Sequence, residues 1–137
     1  MKVLVIYNSL FSYRPKIKNM ENVQEVSEGA EFRNCLVALI QVEKEDEDRD
    51  YKSRAKKLVN HLKWTSRKNE CIRFVLHSFA HLSESKASSE FSKAVFDDAE
   101  RRLSENGFEV AQTPFGYFLD LNIQAPGFSL ARIFKAL

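Results

Sequence analysis

Glycine is scarce and scattered. The four glycines of the 137-residue chain stand at positions 29, 107, 116 and 127. That spacing excludes a P-loop or a dinucleotide fingerprint, which need clustered glycines where backbone N–H groups close on phosphate. Cysteine is limited to Cys35 and Cys71, each inside an apolar run. There they read as small buried hydrophobes of a reducing compartment rather than a disulfide pair, and a cytoplasmic location is the expectation. No long hydrophobic run exists: the longest uninterrupted one is Cys35 to Ile40, far short of the ~20 residues that cross a bilayer. The opening MKVLVIYNS has no small-residue cleavage site and reads as a first strand rather than a signal peptide. A net charge of only +2 excludes a protein that coats nucleic acid by charge alone.

What is present is an ordinary globular composition, 44% apolar and 29% charged, in a length that suits one domain spanning 1–137. The charge is uneven. EKEDEDRD (43–50) is acidic, while 52–68 holds Lys52, Arg54, Lys56, Lys57, Lys63, Arg67 and Lys68, and a second basic group is Arg14, Lys16 and Lys18. Solvated surface is the plain reading of such runs, and an RNA backbone is the functional alternative.

Two near-continuous apolar runs, KVLVIY (2–7) and CLVALIQV (35–42), predict central strands covered on both faces. FSYRPKIK (11–18) alternates, but Pro15 confines that strand to an edge. The stretch 19–32 reads as a loop. Tyr51, Ala55, Leu58, Val59 and Leu62 share one helical face with basic residues opposite, and Asp48 or Asp50 supplies the cap. CIRFVL (71–76) is the next strand. From about Ser85, Phe91, Val95, Ala99 and Leu103 predict a second helix that stops at Asn106-Gly107. Strands follow at 108–112 and 117–125, the latter with Leu119, Leu121 and Ile123 on one face, and FSLARIFKAL (128–137) suggests a last short helix. The fold class is α/β: a single-domain sandwich of a mixed β-sheet with helices packed mainly on one side.

Chemistry concentrates in two loops at strand junctions, HSFAHLS (77–83) and TPFGYF (113–118). His77 and His81 stand four apart, with Cys71 and Glu84 near in sequence, but they straddle a strand end rather than ride a helix. No CxxC, HExxH or third nearby histidine completes a set, and His61 belongs to the lysine-rich helix, so no metal is expected. Serines 78, 83, 85, 88 and 89 lie close to His81, yet no GxSxG elbow is present and hydroxyls before a helix commonly cap it. Aromatics in such loops serve as core plugs or as base-stacking platforms, and the residues alone leave both open. They lead as far as a ligand-binding α/β domain with a candidate link to RNA.

SFAHLSE, followed about thirty residues later by TPFGYF and preceded by LVALIQVEK, resembles the N-terminal editing domain of archaeal threonyl-tRNA synthetases, over essentially the whole chain. The resemblance implies a D-aminoacyl-tRNA deacylase-like fold and hydrolysis of L-serine from tRNA(Thr) mischarged with it. A pocket that accepts threonine rejects serine, one methyl smaller, by only about 1–3 kcal/mol, so a second site must remove the smaller product. Carried over, the substrate pocket comprises Val42, Glu43, Phe79, Ala80, Gly116, Tyr117 and Phe118. His81 positions substrate, and the tRNA terminal 2′-OH helps to activate water. Arg54, Lys57, Arg67 and Lys68 are the expected contacts to the tRNA backbone. No cofactor is implied. The implied partners are tRNA(Thr), a synthetase catalytic chain or domain, and a second copy of this chain as a homodimer. With no class II catalytic motif, the chain is not expected to charge tRNA; it would edit in cis as a synthetase domain or in trans as a subunit. Two positions depart from the family pattern: Leu119 stands for a lysine and Arg132 for a glutamate, both linked to activity there. The alternatives are a D-aminoacyl-tRNA deacylase proper, whose SQF-T and GPVT-type loops are replaced here, and a non-catalytic tRNA-binding module.

Overall fold

The computed structural model describes residues 1–137. Its backbone is a curled six-stranded sheet ordered β4-β3-β2-β1-β5, with β6 also paired to β1. β1 is a single strand, Lys2–Lys18, rather than the two separate strands the sequence suggested. It pairs antiparallel with β2 (Ala30–Gln41) across the loop 19–29, from Lys2↔Gln41 to Tyr13↔Ala30. Pro15 lies beyond that pairing and faces Leu119 of β5, so its missing N–H breaks no ladder on the β2 side.

Helix α1 (Tyr51–Asn69) carries the chain from β2 to β3 (Arg73–Ser78), and α2 (Ser89–Glu105) carries it from β3 to β4 (Glu109–Gln112); the β2–β3 and β3–β4 pairs are parallel. Asp50 caps α1 by accepting from Lys52 N, and Ser88 caps α2 by accepting from Phe91 N. β5 (Tyr117–Gln124) then pairs with the distal half of β1.

The tail departs from expectation. Residues 129–131 make one 3₁₀ turn, and 132–136 form a strand, β6, paired with Lys2–Ile6 of β1. The reason is competition for an edge. β5 occupies only the far half of β1, so the near half still offers unpaired backbone groups, and satisfying them outweighs a helix too short to nucleate.

Both helices pack on one face. Leu58 and Leu62 of α1 and Val95, Phe96, Ala99 and Leu103 of α2 join Val3, Val5, Leu36, Ile40, Phe74 and Leu76 in the main core. Each fully buried leucine there is worth roughly 1.5–3 kcal/mol. The other face is thinner: Phe11, Cys35, Val37, Leu39 and Val75 lie under Phe32, Phe79, Leu82 and Leu121. Because both faces are covered, every residue from Cys35 to Ile40 is buried, which accounts for the unbroken apolar run.

The acidic run also departs from expectation. It forms a 3₁₀ helix, Lys44–Asp48, and Asp46 is buried rather than solvated. Asp46 lies 3.0 Å from the Met1 ammonium and 2.7 Å from Arg54 Nε, and it accepts a hydrogen bond from Glu43 N.

Candidate active site

Parallel strands open a crevice at their carboxyl ends, and here β2 and β3 end together, with Ile40 in register with Ser78. The chain continuing past each end is tied to the other. Phe79 N donates to Ile40 O at 2.9 Å and Ala87 N to Val42 O at 3.0 Å. Gln41 holds the loop between them: its Oε1 accepts from Leu82 N at 2.6 Å, and its Nε2 donates to Ser83 O and Ser85 O at 2.8 and 3.0 Å. Serine hydroxyls then face the acidic turn, Ser83 on Glu43 (2.7 Å), Ser85 on Glu45 (3.0 Å) and Ser88 on Glu47 (3.2 Å).

Glu43 is buried within this lattice. Burial alone would raise its carboxyl, but hydrogen bonds from the Met1 ammonium, Ser83 and Lys2, with the charge of the ammonium, outweigh that and hold its pKa at about 2. It is a permanently ionised anchor for the 79–88 loop.

Three cavities that share lining residues lie at the strand ends. A small pocket of ≈150 Å³ is walled by Val42, Ala80, Ala87, Phe96 and Phe115, with the hydroxyl-bearing Ser78, Ser89 and Ser92 beside them. A second of ≈130 Å³ lies between His77, Thr113, Gly116 and Tyr117. A cleft of ≈830 Å³ runs from there between α2 and the 20–26 segment. Phe115 is common to all three; it meets Phe96 edge-on at 6.1 Å, and Lys93 Nζ lies 5.8 Å from its ring centre.

The cleft has a pinned roof. Gly116 O accepts from Asn19 N, and the Tyr117 hydroxyl donates to Gln24 O and accepts from Val26 N, both at 2.9 Å. Gly116 has φ +85°, and a Cβ there would stand 2.7 Å from Val23 Cγ1. Glycine is therefore required both for the turn and for the approach of the roof. On the floor, Lys93, Asp97 and Gln112 bond one another within 3.0 Å. Burial would raise Asp97, but its bonds from Lys93 and Gln112 pull the carboxyl below its usual range.

Among the residues expected at the site, Val42 and Ala80 wall the small pocket, and Gly116 and Tyr117 wall its neighbour. Phe79 sits behind the loop, its ring 5.9 Å from His77 and 4.9 Å from His81. His81 itself is exposed and lines none of these three cavities. Phe118 is turned away, exposed and opposite Ile17 on β1. Leu119, half-buried, pairs with Pro15, and Arg132 is exposed with its guanidinium on Pro126 O. Of the expected tRNA contacts, Arg54 is a correction. It is 6% exposed, beside Asp46 and donating to Leu137 O, so its charge is spent inside the fold. Lys57, Arg67 and Lys68 are exposed and lack a carboxylate partner.

His77 and His81 are not partners. His77 is buried on Thr113, Nδ1 to Oγ1 2.8 Å, and burial lowers its pKa to about 4. Sequence reasoning passed over Gln41, Phe115 and Thr113. Gln41 looked like the polar end of a strand, and Phe115, though inside the quoted TPFGYF, carried no mark setting it apart from Tyr117 and Phe118.

Comparison with known proteins bears on this geometry. The family model described as "Archaea-specific editing domain of threonyl-tRNA synthetase" matches residues 1–137. The threonine--tRNA ligase of Thermococcus onnurineus is 29% identical over 140 residues, covering 100% of this chain and 22% of that protein. The Methanobrevibacter smithii ligase is 29% identical over 139 residues, covering 100% and 23%. The chain thus spans less than a quarter of the length of these relatives. Among solved structures, the c-Myc DNA Unwinding Element Binding Protein superposes with a TM-score of 0.69 at 12% identity, covering 100% of this chain and 99% of that one. The fold is the D-aminoacyl-tRNA deacylase-like one expected.

Proposed function

The chain belongs to the archaea-specific editing domain family of threonyl-tRNA synthetase, and from that premise we propose that it hydrolyses L-serine from mischarged tRNA(Thr) while sparing L-threonine. The observation that carries the reading is the ≈150 Å³ pocket at the ends of β2 and β3, of amino-acid size and edged by Ser78, Ser89 and Ser92. None of these three hydroxyls makes a hydrogen bond within the chain, so they are free to receive the ammonium and hydroxyl of a seryl group. Ala80, Ala87, Phe96 and Phe115 close the remaining wall, where the extra methyl of threonine would meet carbon at close packing.

The terminal adenosine fits next to Phe115, with its base on an aromatic surface, and the large cleft leads the preceding nucleotides away. The walls of the small pocket carry no histidine, carboxylate or thiol. A general base is therefore missing at the reacting carbon, which supports activation of water by the substrate's own 2′-OH. Exposed His81 acts from outside the pocket, on the terminal nucleotide. Lys57, Arg67 and Lys68 contact the tRNA backbone. The catalytic part of a threonyl-tRNA synthetase, joined in cis or acting in trans, and a second copy of this chain complete the proposed partners.

The test is hydrolysis of L-Ser-tRNA(Thr) and L-Thr-tRNA(Thr) by the purified chain, side by side. Loss of serine with threonine retained is expected. Cleavage of neither, with tRNA still bound, would leave a binding module; cleavage of D-Tyr-tRNA instead would make the chain a D-aminoacyl-tRNA deacylase. A terminal 2′-deoxy substrate hydrolysed at full rate would remove the substrate-assisted step.

A further inference from the structure

The small pocket has one charged wall, Lys86, and we propose that its ammonium holds an anionic oxygen of the substrate there, an assignment that rests on the reading above. Ser83 and Ser85 turn their hydroxyls onto Glu43 and Glu45, and Ala87 N is bonded to Val42 O. Ser83 and Ser85 thus face the acidic turn, whereas the next two residues, Lys86 and Ala87, both line the pocket.

The carboxylates of the acidic turn are occupied. Glu43 takes the Met1 ammonium, Lys2 and Ser83. Glu45 takes Ser85, Asp46 takes Arg54, and Glu47 takes both the N–H and the hydroxyl of Ser88. Lys86 stands in no ion pair, while Lys93, one helical turn into α2, is tied to Asp97 and Gln112. A solitary exposed cation on an otherwise uncharged pocket attracts a single negative oxygen far more than it stabilises the fold.

Two oxygens of the same chemistry could lie there. One is a phosphate oxygen of the terminal nucleotide, charged before reaction begins. The other forms during hydrolysis: water adds to the ester carbonyl carbon, the C=O electron pair moves onto oxygen, and the resulting oxyanion collapses by expelling the ribose oxygen. That oxygen ends with the proton the water lost, giving free serine and deacylated tRNA.

The experiment compares Lys86→Ala and Lys86→Arg with the parent on L-Ser-tRNA(Thr) and on 3′-seryl-adenosine, which has no phosphate. Lys135→Ala, an exposed lysine on β6, is the control. Lys86→Ala is expected to lower kcat/KM on the tRNA by about 10- to 100-fold, with most of it restored in Lys86→Arg and no change in the control. A loss confined to KM and absent with seryl-adenosine identifies the phosphate. A loss in kcat on both substrates identifies the oxyanion. An active parent with Lys86→Ala within twofold of it on both substrates overturns the assignment, as does a well-folded Lys86→Arg no better than Lys86→Ala. A parent that cleaves neither ester defeats the proposed function instead, which keeps the two failures apart.

Discussion

Gln41 Oε1 receives the backbone N–H of Leu82 at 2.6 Å, a bond between the last residue of a buried strand and the middle of the loop that follows the next strand. With the two bonds from Nε2 to Ser83 O and Ser85 O, one side chain completes three backbone groups that no regular element would satisfy.

Gln41→Leu keeps the volume and removes all three bonds, leaving partly buried donors and acceptors unpaired. A loss of about 2–3 kcal/mol is expected, read from urea unfolding. Seryl-tRNA hydrolysis should fall further than stability does, because Ala80 and Lys86 are carried by the freed loop.

Gly116 and Gly107 share φ +85°, but a Cβ on Gly107 meets nothing within 4 Å. Gly107→Ala should therefore cost only the backbone strain, about 1 kcal/mol. Gly116→Ala adds a collision with Val23 and should lift the 20–26 roof. Faster limited proteolysis within 19–29, in that variant alone, is the expected signature.

Burial lowers the His77 pKa to about 4 from the ordinary imidazole value of 6.5. Between those values the unfolded chain binds more protons than the folded one, so stability is greatest above about pH 6.5, falls as the pH drops toward 4, and levels off below. The whole window is worth up to about 3 kcal/mol. His77→Gln, which can still bond Thr113, should flatten it in urea titrations between about pH 4 and 7.

Arg54 and Lys57 lie on the same helix and should behave oppositely. Arg54→Ala leaves Asp46 buried beside only the Met1 ammonium, and a destabilisation of about 3 kcal/mol is expected. Lys57→Ala should leave unfolding unchanged and reduce the salt slope of tRNA binding by about 1. Equal salt slopes for parent and Lys57→Ala would remove that residue from the RNA surface.

What was legible in the sequence was local. The double-sided burial of Cys35 to Ile40, the Asp50 cap and the Asn106-Gly107 stop all rest on periodicity or capping chemistry within a few positions. What was not legible depends on residues distant in the chain. Arg132–Ala136 is a strand because Lys2–Ile6 has a vacant edge. Asp46 is buried because Met1 and Arg54 converge on it, although its acidic neighbours looked solvated. At the site, the FAHLS and PFGY loops could be found as motifs, but which of their side chains face a pocket is set by the turn at each strand end. That is why Phe118 and His81 point elsewhere while Phe115 and Lys86 do not.

The roof of the cleft also sets an order of events during synthesis. The two bonds of the Tyr117 hydroxyl join it to residues 93 and 91 positions earlier in the chain. Closing loops of that length is slow, and the contacts that reward it are made only after β5 has reached β1. A ribosome-bound chain that has released β1, β2 and both helices can bury its main core, yet the 20–26 segment has nothing to fasten to. Recognition of the ligand therefore becomes available only after β5 has paired with β1, so a nascent fragment with a nearly complete core would still present no closed cleft to an aminoacylated tRNA.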